Sequence, residues 1–279
     1  MAAQNKVTTT TLLQMKQKGE PITALTAYDA VTAALLNEAG VDVLLVGDSV
    51  GNVKLGYKNT LPVGLDEMLH HTKAASRGNS RALLVADMPY LSYELDAKEA
   101  ARNAGRLMKE GGAEAVKVEG GIEVAGAIKE IVRINVPVMG HLGLTPQSVH
   151  RLGGYKVQGR RPQEAEKIVT DAKILEGAGV FAIVLECVPS GLAAEISRKV
   201  GVPTIGIGAG PECDGQILVI DDLLGINPEP AKFVKRYADL RGVSLKAAQQ
   251  YVREVREKAF PGPEHSYSDG PGAKAHRST

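Results

Sequence analysis

The sequence predicts a (β/α)8 TIM barrel, and three features support this fold class. The chain has 279 residues, close to the roughly 250 residues that are typical of such barrels. Short β-branched, apolar segments alternate with amphipathic helical segments along most of the chain, as in consecutive βα units. The apolar segments lack regular polar alternation, which indicates parallel strands covered by helices. A doubly wound open sheet is the alternative that this rhythm leaves open.

The predicted elements follow one another from residue 21 onward. We predict strands at residues 21–28, 41–48, 81–88, 113–120, 136–143, 180–187, 202–209 and 215–221. We predict helices at residues 29–39, 64–77, 97–110, 122–133, 163–177 and 191–200, with two extra helices near 230–240 and 243–258. Asp96 is the predicted N-cap of the third helix, with Glu99 three residues later, and the glycine pair at 111–112 ends that helix.

The chain divides into a barrel and a short tail. Residues 1–260 are predicted to form a single catalytic barrel domain. Residues 261–279 are rich in Gly, Pro and Ser, so we predict that they are disordered. The segment 143–162 is long for a loop between a strand and a helix, and we predict that it acts as a lid over the barrel.

Composition excludes several classes of partner. The net charge of +1 gives no strong attraction to nucleic acid or to a membrane surface. No apolar segment is long enough to span a bilayer, and the first twenty residues lack the apolar core of a signal peptide. Cys187 and Cys213 form neither a disulfide framework nor a metal-binding spacing. We therefore expect a cytoplasmic protein that acts on small molecules.

Polar residues end five successive predicted strands. In order, these residues are Asp48 with Ser49, Asp87, Lys117 with Glu119, His141, and Glu186. Each of them alone has an ordinary explanation, such as a helix cap, a surface lysine or a hydrogen-bonded structural histidine. In a barrel, however, the carboxyl ends of the strands converge on the face where catalysis occurs. We therefore expect all of these side chains in one cavity.

The chemistry of these side chains suggests a role for each. Asp48, Asp87 and Glu119 offer hard oxygen ligands, which suit Mg²⁺ rather than zinc. A magnesium ion held in this way can chelate a small 2-oxo acid and stabilise the enolate formed from it. Lys117 would add positive charge beside the substrate carboxylate. Glu186, two strands further on, is the candidate base that removes the proton from carbon.

The chain closely resembles the ketopantoate hydroxymethyltransferase (3-methyl-2-oxobutanoate hydroxymethyltransferase) family, whose barrel is of the phosphoenolpyruvate/pyruvate-superfamily type. The resemblance rests on the ordered segments ITALTAYDAVTAALLNEAGVDVLLVGDSVGNVKLGY, LLVADMPYLSY, AVKVEGG, VPVMGHLGLTPQSVHRLGGYKVQGR, IVLECVP and TIGIGAGPECDGQILVIDDLLG. Each segment alone is weak evidence, but the ordered set covers nearly the whole chain. The motif positions show no departure from the family.

The resemblance implies a reaction and a set of roles. The reaction is transfer of a hydroxymethyl group from 5,10-methylenetetrahydrofolate to 3-methyl-2-oxobutanoate, which gives 2-dehydropantoate for pantothenate and coenzyme A synthesis. The implied roles are magnesium ligands at Asp48, Asp87 and Glu119, oxo-acid contacts at Asp48, Ser49, Asp87 and Lys117, and a proton acceptor at Glu186. His141 lies in a family motif near the substrate, and Tyr28, at the end of the first strand, is a further candidate. The family also implies a homodecamer of two pentameric rings.

Two other functions remain open from the sequence. A lyase similar to isocitrate lyase would share magnesium and the acidic strand ends, but it should carry a reactive cysteine loop. Cys187 follows Glu186 directly, so its side chain should point away from the cavity. A catalytically silent barrel is the second alternative. The glycine-rich segment 206–210 has neither the Rossmann nor the P-loop spacing, and we predict a tight turn there.

Overall fold

Eight parallel strands form a closed barrel in this computed structural model, which describes residues 5–267. The strands are β1 (Ile22–Thr26), β2 (Val43–Val46), β3 (Leu83–Asp87), β4 (Ala115–Glu119), β5 (Val138–Gly143), β6 (Ala182–Glu186), β7 (Thr204–Ile207) and β8 (Gly215–Leu218). Each strand pairs with its neighbours in sequence, and β8 pairs with β1. The predicted barrel is therefore confirmed, and the open sheet is excluded.

Strands β2 to β7 are buried on both sides, which explains their nearly continuous apolar composition, whereas β1 and β8 are exposed or half-buried at their outward positions. One set of strand side chains fills the barrel interior, and it includes Ile22, Val43, Leu45, Leu83, Val85, Val184 and Ile205. The alternate positions, among them Leu44, Leu84 and Val116, pack outward against the helices. Because successive side chains of a strand point to opposite sides, strands β2 to β6 contribute to both cores.

The six helices predicted between strands are present, whereas the helices at Thr9–Lys18, Val50–Val53, Val149–Leu152 and Ile220–Leu223 were not predicted. The helices are α1 (Thr9–Lys18), α2 (Ala30–Glu38), α3 (Val50–Val53), α4 (Leu65–Gly78), α5 (Ala97–Lys109), α6 (Ala125–Arg133), α7 (Val149–Leu152), α8 (Pro162–Ala178), α9 (Ser190–Lys199), α10 (Ile220–Leu223) and α11 (Leu240–Arg256). Asp96 caps α5 as predicted, because its side chain accepts hydrogen bonds from the N–H groups of Lys98 and Glu99. A single 3-10 turn at Ile122–Val124 precedes α6.

The helix predicted near residues 230–240 is wrong. These residues form turns and bends, and regular helix begins only at Leu240. The segment folds back on itself, because the guanidinium of Arg236 donates hydrogen bonds to the backbone carbonyls of Asn227 and Pro228. Tertiary packing, with Phe233 against the barrel interior cluster, also opposes helix formation there.

The last part of the described chain extends away from the barrel core. Helix α11 has no buried residue. The outer faces of β1 and β8 border a cavity of about 680 Å³ near the amino ends of the strands. The predicted disordered tail begins at 261, but residues 268–279 lie outside the described residues, and 261–267 include a 3-10 turn at Pro263–His265. Within residues 5–267, no helix has both the length and the apolar character that a membrane crossing requires.

The glycine-rich segment 206–210 forms a tight turn, as predicted. Gly208 and Gly210 have positive φ angles of 62° and 84°. A Cβ atom at Gly208 would lie 2.8 Å from the ring of Phe233, and one at Gly210 would lie 2.4 Å from Ser190. Both positions therefore require glycine for conformation and for space.

Candidate active site

The carboxyl ends of the strands open into a cavity of about 670 Å³. Its lining includes all seven residues that the strand-end pattern identifies: Asp48, Ser49, Asp87, Lys117, Glu119, His141 and Glu186. The strand register places several of them side by side in the barrel. Asp87 on β3 pairs with Lys117 on β4, and Glu119 on β4 pairs with His141 on β5. The predicted grouping of these side chains is therefore observed.

Tyr28 supports this cavity and does not line it. Its hydroxyl forms a 2.8 Å hydrogen bond with Oγ of Ser49, and its side chain is almost fully buried. Burial raises the pKa of the Tyr28 phenol well above its ordinary value, so the phenol stays neutral. Tyr28 therefore fixes the position of Ser49 at the cavity wall.

Lys117 is a buried cation among carboxylates. Its Nζ lies 2.8 Å from Oδ1 of Asp87 and 3.9 Å from Oε1 of Glu119. Burial disfavours the charged ammonium, but the negative charges of Asp87, Glu119 and Asp48 outweigh it and raise the pKa of Lys117. Lys117 therefore carries a positive charge throughout the neutral range.

Asp48 and Asp87 lack full compensation for their charge. Burial raises the pKa of Asp48 well above its usual range, and repulsion from Asp87 and Glu119 raises it further. Burial also raises the pKa of Asp87, although Lys117 opposes the shift. The two residues are linked directly, since the backbone N–H of Asp48 donates to Oδ2 of Asp87 at 2.9 Å. More positive charge at this point would stabilise both carboxylates.

These carboxylates suit a divalent cation, although they are not yet arranged around one. Within residues 5–267, no three His, Cys, Asp or Glu side chains are gathered closely enough to hold a metal ion as they stand. The donors are nevertheless hard oxygens, and Oδ1 of Asp87 is buried without a well-directed hydrogen bond. The uncompensated charge of Asp48 and Asp87 is the observation that favours a cation. Binding it would require these side chains to reorient from their present contacts.

His141 lies between two carboxylates. Its Nδ1 is 3.2 Å from Oε1 of Glu119, and its Nε2 is 3.1 Å from Oε2 of Glu186. Burial and Lys117 disfavour the protonated ring, but the contacts with Glu119 and Glu186 outweigh them and raise the pKa of His141 to about 9. At neutral pH His141 is therefore an imidazolium that joins Glu119 to Glu186.

The contacts of Nδ1 of His141 compete with one another. Nζ of Lys117 also lies 3.3 Å from this nitrogen, but one ring nitrogen cannot both accept from Lys117 and donate to Glu119. The protonated ring favours donation to Glu119. Burial opposes ionisation of Glu119, yet hydrogen bonds from His141 and the charge of Lys117 lower the pKa of Glu119 overall. Glu119 is therefore ionised, and its carboxylate attracts the positive charges of His141 and Lys117.

Gln147 is a site residue that the sequence pattern did not identify. Its Nε2 donates to Oδ2 of Asp48 at 2.9 Å, and its backbone N–H donates to Oε2 of Glu119 at 3.0 Å. The hydroxyl of Tyr93 donates to Oε1 of Gln147 at 2.5 Å. Gln147 thus connects two of the three predicted metal ligands. It lies in the segment 143–162, where no periodicity distinguishes one polar residue from the next.

Tyr155 extends from the same segment into the cavity lining. Burial raises the pKa of its phenol, and the nearby charges of Asp48, Glu186 and Glu119 raise it further. Tyr155 remains more than half exposed. Tyr155 therefore lies at the rim of the cavity, close enough to Asp48, Glu119 and Glu186 for their charges to act on its phenol.

Further lining residues come from the segments that follow β2 and β8, and the strand-end pattern identified none of them. These residues are Asn52, Lys58 and Thr60 after β2, and Asp222, Asn227, Glu229 and Phe233 after β8. The cavity therefore has two regions. One, which we call the acidic floor, is formed at the ends of β2 to β6 by Asp48, Ser49, Asp87, Lys117, Glu119, His141 and Glu186, and the other lies near β8 and β2.

Comparison with known sequences identifies one family. A family model described as ketopantoate hydroxymethyltransferase matches residues 6–263. A protein of Thermoanaerobacter sp. (strain X514), named 3-methyl-2-oxobutanoate hydroxymethyltransferase, is 54% identical over 266 residues, which cover 95% of this chain and 97% of that protein. A protein of the same name from Geotalea uraniireducens (strain Rf4) is 55% identical over 257 residues, which cover 92% of this chain and 96% of the relative.

Comparison with solved structures shows the fold. A phosphonopyruvate hydrolase in complex with oxalate and Mg²⁺ superposes with a TM-score of 0.60 at 14% identity, and the match covers 93% of each chain. A 2,3-dimethylmalate lyase, described as a member of the PEP mutase/isocitrate lyase superfamily, gives a TM-score of 0.56 at 16% identity and covers 93% of this chain and 91% of that one. These two proteins therefore share the barrel fold of this chain.

Proposed function

This chain belongs to the ketopantoate hydroxymethyltransferase family, and from that membership we propose that it transfers a hydroxymethyl group to 3-methyl-2-oxobutanoate. The donor is 5,10-methylenetetrahydrofolate, and the product is 2-dehydropantoate, an intermediate of pantothenate synthesis. The balanced reaction consumes the oxo acid, the folate and one water, and it releases 2-dehydropantoate and tetrahydrofolate. The convergence of Asp48, Asp87, Lys117, Glu119, His141 and Glu186 in one cavity carries this proposal.

Asp48, Asp87 and Glu119 are the proposed ligands of Mg²⁺. Their hard oxygens, and the raised pKa values of Asp48 and Asp87, support a divalent cation at this position. When bound, Mg²⁺ supplies Lewis-acid polarisation of the 2-oxo group, which makes the neighbouring carbon more acidic. Thermal unfolding with and without Mg²⁺ tests the site, since a catalytically silent barrel with an empty site would gain no stability from the ion.

The oxo acid is proposed to contact Asp48, Ser49, Asp87, Lys117 and His141. Lys117 remains charged and buried, so it stabilises negative charge on the substrate carboxylate and on the enolate. Ser49 is held by Tyr28 and presents its hydroxyl at the cavity wall. His141 adds a second positive charge beside Lys117, whose Nζ lies 3.3 Å from Nδ1 of the ring. Ser49 and His141 are each held by a partner that is not a proposed magnesium ligand, Tyr28 and Glu186 respectively, which favours the preorganisation that stabilisation of an enolate requires.

Glu186 is the proposed proton acceptor. Its side chain is 16% exposed, so it is accessible from the cavity, and the 3.1 Å contact with His141 fixes the orientation of the carboxylate. The proton passes from the branched carbon of the oxo acid to Glu186. Water adds to the methylene carbon of the donor, both C–N bonds to folate break, and the two folate nitrogens take up the two protons of the water, which leaves formaldehyde. The carbanion forms a carbon–carbon bond to this carbon, and the resulting alkoxide takes up the proton held by Glu186.

The segment 143–162 is the proposed lid. It carries Gln147 against the acidic floor and Tyr155 at the rim. Since the balanced reaction consumes one water, the lid would limit water rather than exclude it completely. Unchanged turnover after deletion of residues 153–157 would argue against this role.

A direct assay distinguishes this activity from that of an isocitrate lyase-like enzyme. Neither Cys187 nor Cys213 lines the cavity, so no thiol is placed to act there. The purified protein with Mg²⁺, 3-methyl-2-oxobutanoate and 5,10-methylenetetrahydrofolate should form 2-dehydropantoate. Cleavage of isocitrate analogues without formation of 2-dehydropantoate would contradict the proposal.

A homodecamer and a cytoplasmic location complete the proposal. Helix α11 exposes large apolar side chains along its length: Leu240, Val243, Leu245, Tyr251, Val252 and Val255. Such a surface is typical of contacts between subunits. Ten chains of 29.5 kDa would give an assembly of about 295 kDa. Both cysteines are free thiols, which suits a reducing compartment.

A further inference from the structure

The cavity is much larger than the oxo acid needs. Cavities of about 300–1,000 Å³ enclose drug-sized ligands, and this one has a volume of about 670 Å³. The residues assigned to the oxo acid, to Mg²⁺ and to proton removal all lie at the acidic floor. The region lined by Asn52, Lys58, Thr60, Asp222, Asn227, Glu229 and Phe233, which we call the outer subsite, is left for a second and larger ligand.

Phe233 gives the outer subsite a flat apolar wall. Its ring packs against Gly208, where a Cβ atom would lie 2.8 Å away, and against the apolar cluster inside the barrel. These contacts hold the ring on one side, while the residue remains half-buried and lines the cavity on the other. A ring held in this way can stack on a flat heteroaromatic ligand.

Asp222 places a carboxylate in the same region. Its Oδ1 accepts a 2.9 Å hydrogen bond from Nδ2 of Asn227, while Oδ1 of Asn227 accepts from the backbone N–H of Glu229 at 3.2 Å. This network orients the carboxylate and leaves its second oxygen without a partner among the described residues. An ionised carboxylate binds most strongly to a pair of adjacent N–H donors. The aminopyrimidine edge of a pteridine presents such a pair.

Two residues after β2 also line the outer subsite. Lys58 is an exposed cation with no ion pair in the described chain. Thr60 is 3% exposed, and its hydroxyl has no hydrogen-bond partner within residues 5–267. The subsite therefore offers a free positive charge to an anionic ligand group at the rim.

We propose that the outer subsite binds the folate donor, with its pteridine stacked on Phe233, its aminopyrimidine edge on Asp222 and its anionic tail directed toward Lys58. The inference rests on the proposed function and adds the position of the second substrate. It places the one-carbon group beside the acidic floor, because Asp48 and Ser49 lie in the same cavity as Phe233.

Steady-state kinetics of Asp222→Asn and Phe233→Leu test this placement. Each variant should raise the KM for 5,10-methylenetetrahydrofolate by about tenfold or more, because a charge-assisted hydrogen bond or a stacking surface is lost. The KM for 3-methyl-2-oxobutanoate should change by less than about twofold, since that ligand binds elsewhere. Phe233→Tyr should restore the folate KM, because the ring is retained. Lys58→Gln should weaken a polyglutamylated donor more than the monoglutamate.

The control and the readouts separate the possible failures. Glu20→Gln alters a carboxylate of the cavity at the amino ends of the strands and should leave both KM values at the wild-type level. The outer subsite alone would be overturned by two results together: the wild-type enzyme forms 2-dehydropantoate, and both Asp222→Asn and Phe233→Leu keep the wild-type KM for folate. A wild-type enzyme that forms no 2-dehydropantoate would overturn the proposed function on which it rests.

Discussion

At the scale of single residues, the site depends on side chains that hold other side chains. Gln147 fixes Asp48 and receives a hydrogen bond from Tyr93, while His141 joins Glu119 to Glu186. Such partners orient the groups that act on a ligand, and their loss typically reduces metal affinity or activity about 10–100-fold. The acidic floor is therefore a connected network rather than a set of independent residues.

Tyr93→Phe tests this network without removing any proposed ligand. The phenol donates to Gln147, and without it the side-chain amide is free to turn away from Asp48. We expect the Mg²⁺ concentration for half-maximal activity to rise by about tenfold. Titration of activity against Mg²⁺ measures it. Tyr90→Phe is the matched control, since Tyr90 is 41% exposed and should respond like the wild type. An unchanged Mg²⁺ requirement in Tyr93→Phe would refute the positioning role.

At the scale of elements, the strands and their terminal residues were predictable, and the loops were not. All eight strands were identified because apolar, β-branched segments have a distinct signature. Asp87, Glu119 and Glu186 were found because each ends such a segment. Gln147 and Phe233 were missed because they lie in loops whose path depends on tertiary packing. The false helix near 230–240 has the same cause.

Helix α2 gives a prediction for stability and its pH dependence. Asp29 caps this helix and accepts 2.8 Å hydrogen bonds from the N–H and hydroxyl groups of Thr32. Partial burial opposes ionisation, but these hydrogen bonds prevail and lower the pKa of Asp29. Asp29→Ala should lower the free energy of unfolding by about 1 kcal/mol at neutral pH. Urea unfolding measures the loss.

The sign of the pH dependence follows from the direction of that shift. Because the folded state lowers the pKa of Asp29, its ionised form stabilises the protein above the ordinary Asp pKa, and this contribution falls as acid protonates the group. The difference between wild type and Asp29→Ala should therefore shrink below about pH 4. Asp29→Asn keeps a good cap and should show a smaller loss at neutral pH. An equal loss in Asp29→Asn and Asp29→Ala would contradict the capping account.

At the scale of the whole molecule, the barrel is closed but part of the described chain lacks a partner. Helix α11 has no buried residue, although it exposes six large apolar side chains. An exposed apolar helix of this kind is costly in water unless it contacts another surface. The barrel was predictable from the rhythm of its elements. The number of subunits was not, since closure of a ring depends on geometry between chains.

Val252→Lys tests whether α11 lies between subunits. Val252 is 43% exposed, and a charge buried at an interface without a partner should dissociate it. Sedimentation analysis should show the wild type near the mass of ten chains and the variant at a smaller mass. Gln250→Lys is the control, because residue 250 lies about 200° around the helix from residue 252 and adds the same charge. Identical masses for wild type and Val252→Lys would contradict this role of α11.

Hydrogen exchange directly measures the removal of a proton from the oxo acid by Glu186 in the presence of Mg²⁺. In deuterated water, the wild-type enzyme with Mg²⁺ but without folate should exchange the hydrogen at the branched carbon of 3-methyl-2-oxobutanoate. Glu186→Gln should exchange it at least about 100-fold more slowly, and Glu38→Gln, a change at an exposed carboxylate on α2, should match the wild type. Exchange near the wild-type rate in Glu186→Gln, or exchange that does not respond to Mg²⁺, would contradict the account.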